Sequence, residues 1–342
     1  MLDVIPDLPA RWAALREENP RLRIRDAAAR LGVPEAALVD AIPGRRRLRP
    51  DWAGMLQALE AAGPVMALTR NGGCVHERHG TYRNVSAENH VALVLGEEID
   101  LRLFLARWKH GFFTPAGQPG SPRGALQVFD ASGEAVHKIF ATERTGEGAL
   151  ERIAAALDSS EEAPLSWEAP AAPAAPRPDA EVDAAGLRAA WAALQDTHDF
   201  FPLLRRFKAH RLQAFRLAGT EWARPLPAGS VERALTEAAA AALPVMVFVG
   251  NAGCIQIHTG PVNRIVPMEG WFNVLDPDFN LHLRPAAIQE TWLVRKPTAD
   301  GTVTSVEAFD AGGNAVITLF GKRKPGQPED LDWRALAEGL AP

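Results

Sequence analysis

His198 is the residue of this chain whose type and setting could do metal chemistry. Leu187, Trp191, Leu194, His198 and Phe201 follow 4, 3, 4, 3 spacing, which predicts one apolar helical stripe with His198 on its buried-looking face. Pro202 follows Phe201 and disfavours helix there, so His198 is expected in or near a last helical turn. An imidazole so placed can give its Nδ1 proton to a nearby carbonyl and aim Nε2 outward, as a metal ligand needs. The same spacing equally describes a histidine satisfied inside a core. His76, Arg78 and His79 lie on an expected strand beside Gly80, where side chains three apart face opposite ways, so a tight two-histidine site is not expected. His90, His110, His137, His210, His258 and His282 show no metal-ligand spacing.

The elements that must position such a residue come in two copies. Asn71-Gly72-Gly73-Cys74-Val75-His76 returns as Asn251-Ala252-Gly253-Cys254-Ile255-Gln256, 180 residues later. The offset holds from Asp100-Leu101-Arg102-Leu103 against Asn280-Leu281-His282-Leu283 through Phe129-Asp130 against Phe309-Asp310 to Phe140 against Phe320. A long period present twice indicates a duplicated domain rather than a solenoid. Each copy reads as an Ala-rich helical section, several short strands and a closing helix, Glu147 to Leu157 or Leu331 to Leu340. Strand candidates are Val65 to Thr69, Val91 to Leu95, Leu101 to Leu105, Leu126 to Phe129 and Val136 to Ala141, with counterparts Val245 to Val249, Phe272 to Leu275, Asn280 to Leu283, Ser305 to Phe309 and Ala315 to Phe320. Consecutive strands without intervening helices predict an α+β fold, a tandem duplication in which each half is a large antiparallel sheet flanked by helices. The expected divisions are 1–158, a Pro/Ala-rich linker at 159–182 containing Pro164, Pro170, Pro173, Pro176 and Pro178, and 183–342.

Composition sets limits on function. With 47% hydrophobic and 23% charged residues the 342-residue chain can bury two cores, and a net charge of −5 supplies no global attraction to nucleic acid or anionic membrane. No apolar run approaches the roughly 20 residues of a membrane span, and Met1-Leu2-Asp3 opens no signal peptide, so a cytoplasmic protein is expected. The two cysteines, Cys74 and Cys254, hold the same position in each copy and are expected in equivalent core slots, unpaired.

Thr197-His198-Asp199-Phe200-Phe201-Pro202-Leu203-Leu204 followed by Arg211-Leu212-Gln213-Ala214-Phe215 resembles the heme-coordinating helix pair of the HemS/ChuS/HmuS/PhuS family of cytoplasmic hemin-degrading and heme-trafficking proteins. Val247-Phe248-Val249-Gly250-Asn251, Val266-Pro267-Met268, Arg295-Lys296-Pro297-Thr298, Val303-Thr304-Ser305 and Asp100 to Leu105 extend the resemblance over the whole chain except the linker. The resemblance implies one heme b in a cleft between the copies, with His198 as axial iron ligand and Arg102, read as catalytic, reaching the open face of the iron through water. It further implies Arg211, Gln213, Lys296 and Arg323 near the propionates or their waters, with Phe320 beside the propionates, and His76 as ligand of a second heme; Phe200, Phe201, Leu204 and Phe248 are apolar residues able to line the slot or the core. Phe320 stands where the family often has a tyrosine, so that hydroxyl is missing or replaced by Lys322 or Arg323. Asn19 stands near the first-copy equivalent of His198, so the first copy has no matching ligand.

Two activities fit the resemblance. One is oxygenase-type degradation, which uses oxygen and an external electron donor and releases iron for nutrition. The other is carriage of heme from an ABC transporter to a separate heme oxygenase, with a reductase as a further partner. A third possibility comes from the residues themselves: Arg25 to Leu38 scans as helix-turn-helix and Arg45-Arg46-Arg47-Leu48-Arg49 as a phosphate arm. The same segment also describes a simple helical hairpin, so nucleic acid is the minor expectation.

Overall fold

The computed structural model describes residues 7–20, 22–118, 121–159, 163–170, 176–323 and 326–341. The first copy runs α1 (Leu8–Glu18), α2 (Ile24–Leu31), α3 (Glu35–Asp40), β1 (Arg46–Leu48), α4 (Trp52–Leu59), β2 (Val65–Arg70), β3 (Cys74–Gly80), β4 (Val85–Glu88), β5 (Val91–Leu95), β6 (Asp100–Phe104), β7 (His110–Gln118), β8 (Ser121–Phe129), β9 (Ala135–Ala141) and α5 (Ala149–Ala156). The second runs α6 (Ala184–Ala192), α7 (Phe200–Phe207), α8 (Arg211–Ala218), β10 (Ala223–Leu226), α9 (Ser230–Ala240), β11 (Val245–Gly250), β12 (Cys254–Gly260), β13 (Ile265–Met268), β14 (Trp271–Leu275), β15 (Phe279–Leu283), β16 (Glu290–Thr298), β17 (Gly301–Phe309), β18 (Ala315–Gly321) and α10 (Leu331–Gly339).

The expected α+β class holds. Among the described residues the strands form two nine-stranded sheets, ordered β1-β7-β8-β9-β2-β3-β15-β14-β13 and β10-β16-β17-β18-β11-β12-β6-β5-β4. The hairpins β7–β8–β9 and β16–β17–β18 are antiparallel with matching registers, Phe129 and Phe309 each marking a bulge. The chain divides into two compact units, and each takes in a short piece of the opposite copy: residues 250–256 belong to the first unit and 71–75 to the second.

Each unit is layered helix, sheet, helix. In the first, Trp52, Met55, Leu56 and Leu59 of α4 with Leu150 and Ile153 of α5 pack on Val65, Ala67, Leu126, Val128 and Ile139, while α1–α3 bury Trp12, Leu38 and Val39 against Phe112 and Phe129 of the opposite face. The second unit repeats this with α9 and α10 on Val245, Val247, Val306 and Leu319, and α6–α8 on Trp292, Val294 and Phe309. Period-2 alternation along the strands is what supplies both faces. The described part of the linker is not a bare tether: Leu165 and Trp167 pack on the α1–α3 core, and Arg47 Nη1 donates to the Ala163 carbonyl at 2.6 Å. Residues 160–162 and 171–175 of that linker, Pro173 included, lie outside the described residues.

The repeated Asn-x-Gly-Cys segment is a fastener. Asn251 Oδ1 accepts from the backbone N–H of Gly253 and of Cys254 at 3.0 Å each, and its Nδ2 donates to the carbonyls of Arg70 and Val136 at 3.0 and 2.9 Å. Asn71 does the same through Gly73 and Cys74, with Nδ2 on the Val316 carbonyl at 2.9 Å. Asparagine suits this because one side chain closes a local turn and still has donors to spare. Glycine is required two residues on: a Cβ at Gly253 would lie 2.6 Å from Val136 Cγ1, and one at Gly73 2.9 Å from Val316 Cγ1. The cysteines that follow are buried and unpaired, as expected, Cys254 within the first core and Cys74 within the second.

The helix-turn-helix reading does not survive the packing. α3 is six residues long and buries Glu35, Ala36, Leu38 and Val39, so it has no face to lay in a groove. Arg47 makes a two-pronged contact with the Asp40 carboxylate, Nε and Nη2 at 2.8 and 2.7 Å, and Arg45 joins the same carboxylate at 2.8 Å, so two members of the arginine run are spent on the fold. Among the described residues no helix is long and apolar enough to cross a membrane.

Gly253→Ala should therefore lower stability by about 1–3 kcal/mol, the usual cost of forcing atoms into a filled site. Gly72→Ala, where nothing lies within 4 Å, should be nearly neutral. Urea midpoints of the two variants test this, and equal midpoints would contradict it.

Candidate functional site

The segment carrying His198 folds differently from its apolar spacing. α6 ends at Ala192, a separate 3-10 turn spans Thr197–Asp199, and α7 starts at Phe200 with Pro202 in its first turn. Pro202 thus begins a helix instead of ending one, because first-turn N–H groups have no helical partner to lose. The expected single stripe is corrected accordingly: Leu187, Trp191 and Leu194 are core, whereas His198 stands out from the surface with its side chain 87% exposed and Phe201 is 63% exposed. Gln195 ties the segment to the sheet by accepting the Ala299 N–H at 2.9 Å.

Asp196, absent from the sequence expectations, sets the imidazole. Its Oδ1 accepts the His198 backbone N–H at 2.8 Å and lies 2.7 Å from His198 Nδ1, so the partner is a carboxylate where a carbonyl was expected. With Nδ1–H donating to the carboxylate, the neutral ring has its lone pair on Nε2. The backbone N–H of His198, then its ring, hold the Asp196 carboxyl below the usual carboxylate range.

Beside this segment lies one face of the second unit's sheet. The registers Met246↔Phe320, Phe248↔Thr318, Ser305↔Phe320 and Val294↔Ser305 place Met246, Phe248, Phe320, Ser305, Glu307 and Lys296 on a common face. Helices α6–α8 cover Trp292, Val294 and Phe309, and leave Met246, Phe248, Thr318 and Phe320 half-exposed. Phe248 meets Phe320 edge-on at 5.2 Å, and Lys296 Nζ lies 4.7 Å from the Phe200 ring centre and 5.9 Å from that of Phe320. The exposed histidine, Phe200 two residues on, and the apolar strip are thereby joined.

The charges at the edge of this strip are held by Glu307, which the sequence did not single out. Glu307 Oε1 lies 2.7 Å from Lys296 Nζ, and Oε2 accepts from Arg211 Nε and Nη2 at 2.8 and 2.6 Å; Ser305 Oγ adds a donor at 2.9 Å. Burial alone raises the Glu307 carboxyl, but Arg211 and Lys296 outweigh it and hold it at about 2, while burial pulls Lys296 down against the pull of Glu307. Two cations on one carboxylate leave one net positive charge. Nothing in the strand pattern signals Glu307, because its partner Arg211 is 96 residues away.

The other expected residues fall elsewhere. Gln213 is buried, its Nε2 on the Arg177 carbonyl and Asp179 Oδ1 at 2.7 and 2.8 Å, which fastens α8 to the chain before α6. Arg323 lies 3.7 Å from Asp300. In the first unit, Arg102 pairs with Asp100 on β6, opposite Leu93 and amid exposed Val91 and Leu95. Burial raises the Asp100 carboxyl, against the pull of Arg102. His76 is wholly enclosed in β3. His137 is also buried, between Thr69 at 2.9 Å and Tyr82 at 2.6 Å, and its pKa is pushed down to about 3 by burial. Among the described residues no three His, Cys, Asp or Glu side chains cluster as a metal site.

Fold and site define a duplicated α+β protein that presents one oriented imidazole beside an apolar strip edged by a cation. The chain belongs to the haemin-degrading HemS.ChuX family, whose model matches residues 32–157 and 208–340. It is 39% identical over 322 residues to the hemin transport protein HemS of Yersinia enterocolitica, 93% of each chain being covered. The structure of holo-PhuS, a heme-binding protein from Pseudomonas aeruginosa, matches with 51% identity, 98% coverage of both chains and a TM-score of 0.94. That of the Escherichia coli O157:H7 heme degrading enzyme ChuS matches with 37% identity over 97% of this chain and 98% of its own, at a TM-score of 0.90.

Glu307→Gln should destabilise the protein by about 3–5 kcal/mol at pH 7, since it leaves buried Lys296 without its counter-charge. A carboxyl lowered from 4.5 to about 2 gives stability that is full above pH 4.5 and lost as pH falls through about 2. The gap between wild type and variant in urea unfolding should narrow over that window, and a gap independent of pH would contradict the assignment.

Proposed function

We propose that this chain binds one heme b with His198 Nε2 as axial iron ligand and degrades it by oxygenase-type chemistry, releasing iron. The observation that carries this reading is the exposed His198 imidazole, whose Nδ1 is held by the Asp196 carboxylate at 2.7 Å and whose Nε2 is the ring nitrogen left for a metal. The other requirements of a heme site are an apolar surface and cations for two propionates. Met246, Phe248 and Phe320 offer the surface, and Arg211, steadied by Glu307 with buried Lys296 behind it, offers the charge together with Arg323. The HemS, PhuS and ChuS relatives, named for hemin transport, heme binding and heme degradation, support the same ligand.

Bound heme would supply an iron that activates dioxygen with electrons from an external donor, and its macrocycle would be the substrate. The chain's own part is smaller. His198 donates a neutral ring nitrogen, and the apolar strip excludes water. Arg102 of β6, where it pairs with Asp100, is assigned as a hydrogen-bond donor to anionic charge that develops in the reaction. Gln213 is committed to the fold and is given no role toward the propionates, and enclosed His76 is given none toward a second heme. We place the protein in the cytoplasm, receiving heme from an ABC-type importer and electrons from a reductase.

Hemin loaded anaerobically, then exposed to oxygen and a reductant in the presence of catalase, should lose its Soret band and yield an open-chain tetrapyrrole. A Soret band that persists under these conditions, with heme passing intact to a separate oxygenase, would replace degradation by carriage.

A further inference from the structure

We infer that Asp196 is a positioning residue that tunes the iron through His198, an inference resting on the proposed role of His198 as axial ligand. One carboxylate oxygen takes two donors from one residue: the His198 backbone N–H at 2.8 Å and its ring Nδ1 at 2.7 Å. The ring is thus fixed against the turn that carries it, not merely touched by a passing charge. Thr197 Oγ1, 3.5 Å from the same oxygen, is the neighbouring hydroxyl.

In the protein alone this pair stands in solvent, with side chains 87% and 59% exposed, where water competes for the hydrogen bond and it contributes little. An apolar macrocycle laid over Nε2 removes that water, and a hydrogen bond to a carboxylate strengthens as the local dielectric falls. Two separable effects follow. Orientation of the ring needs only an acceptor, and loss of such a partner typically costs 10–100-fold in metal affinity. Electron donation needs the negative charge, which draws the Nδ1 proton, makes Nε2 more basic and stabilises ferric over ferrous iron.

Asp196→Asn keeps an acceptor oxygen for both donors and removes only the charge, whereas Asp196→Ala removes both. The hemin complex of the Asn variant should therefore show a ferric/ferrous midpoint potential more positive than wild type with affinity nearly unchanged. The Ala variant should show the positive shift together with a 10–100-fold loss of hemin affinity. Asp196→Glu should recover part of the potential. In the protein without hemin, the 15N shifts of His198 should report a protonated Nδ1 and an unprotonated Nε2, and Asp196→Ala should mix the two tautomers. An Asn variant with the wild-type potential, its spectrum still dependent on His198, would overturn this inference alone. A His198→Ala complex spectrally identical to wild type would overturn the ligand reading and this inference with it.

Discussion

The burial of one carboxylate, Glu307, is the constraint on which the candidate site depends. A charged oxygen pair in the middle of a sheet face is tolerable only when its hydrogen-bonding capacity is filled, and here Lys296, Arg211 and Ser305 fill it. Arg211 opens α8 and Lys296 sits on β16, so this contact locks the helical layer to the sheet at the point where the apolar strip emerges. The histidine turn rests against β16, and α7, which follows it, packs on α6. The same carboxylate keeps two cations ordered without cancelling both, so an anionic ligand would meet a preformed positive edge.

The two copies show what duplication retains and what it lets go. The Asn-x-Gly-Cys fastener occurs in both, because a polar turn and a close backbone approach are needed wherever this strand connection is built. The charged machinery occurs in one. Position by position, Gln127 stands for Glu307 and Ala116 for Lys296, and Gln127 settles for the Thr114 hydroxyl at 3.2 Å. The first copy places its buried ion pair elsewhere, Lys138 of β9 with Glu35 of α3. Asn19, at the C-cap of α1 where its own N–H returns to the Leu15 carbonyl, completes a helix end in the place where the second copy has its histidine turn.

Much of this was legible in the chain. The repeat, the antiparallel strands and the paired cysteine slots follow from alternation and offset, which depend on local pattern alone. The expected helical stripe through His198 failed because its spacing counts apolar residues across a helix break, and Asp196, which caps the new turn, is an ordinary polar residue by pattern. Glu307 was illegible for another reason: buried charge is defined by partners brought from other elements, and a carboxylate between Val306 and Ala308 reads as solvent-facing until α8 arrives. The arginine run at Arg45 to Arg49 misled in the same way, since Asp40 had already claimed two of its members.

The proposed function depends on His198 as the axial base. Electron paramagnetic resonance of the ferric hemin complex tests this most directly, comparing wild type with His198→Ala with and without added imidazole. The prediction is a histidine-ligated signal that is lost in the variant and returns when imidazole is supplied. A variant whose signal matches wild type before any imidazole is added would contradict it.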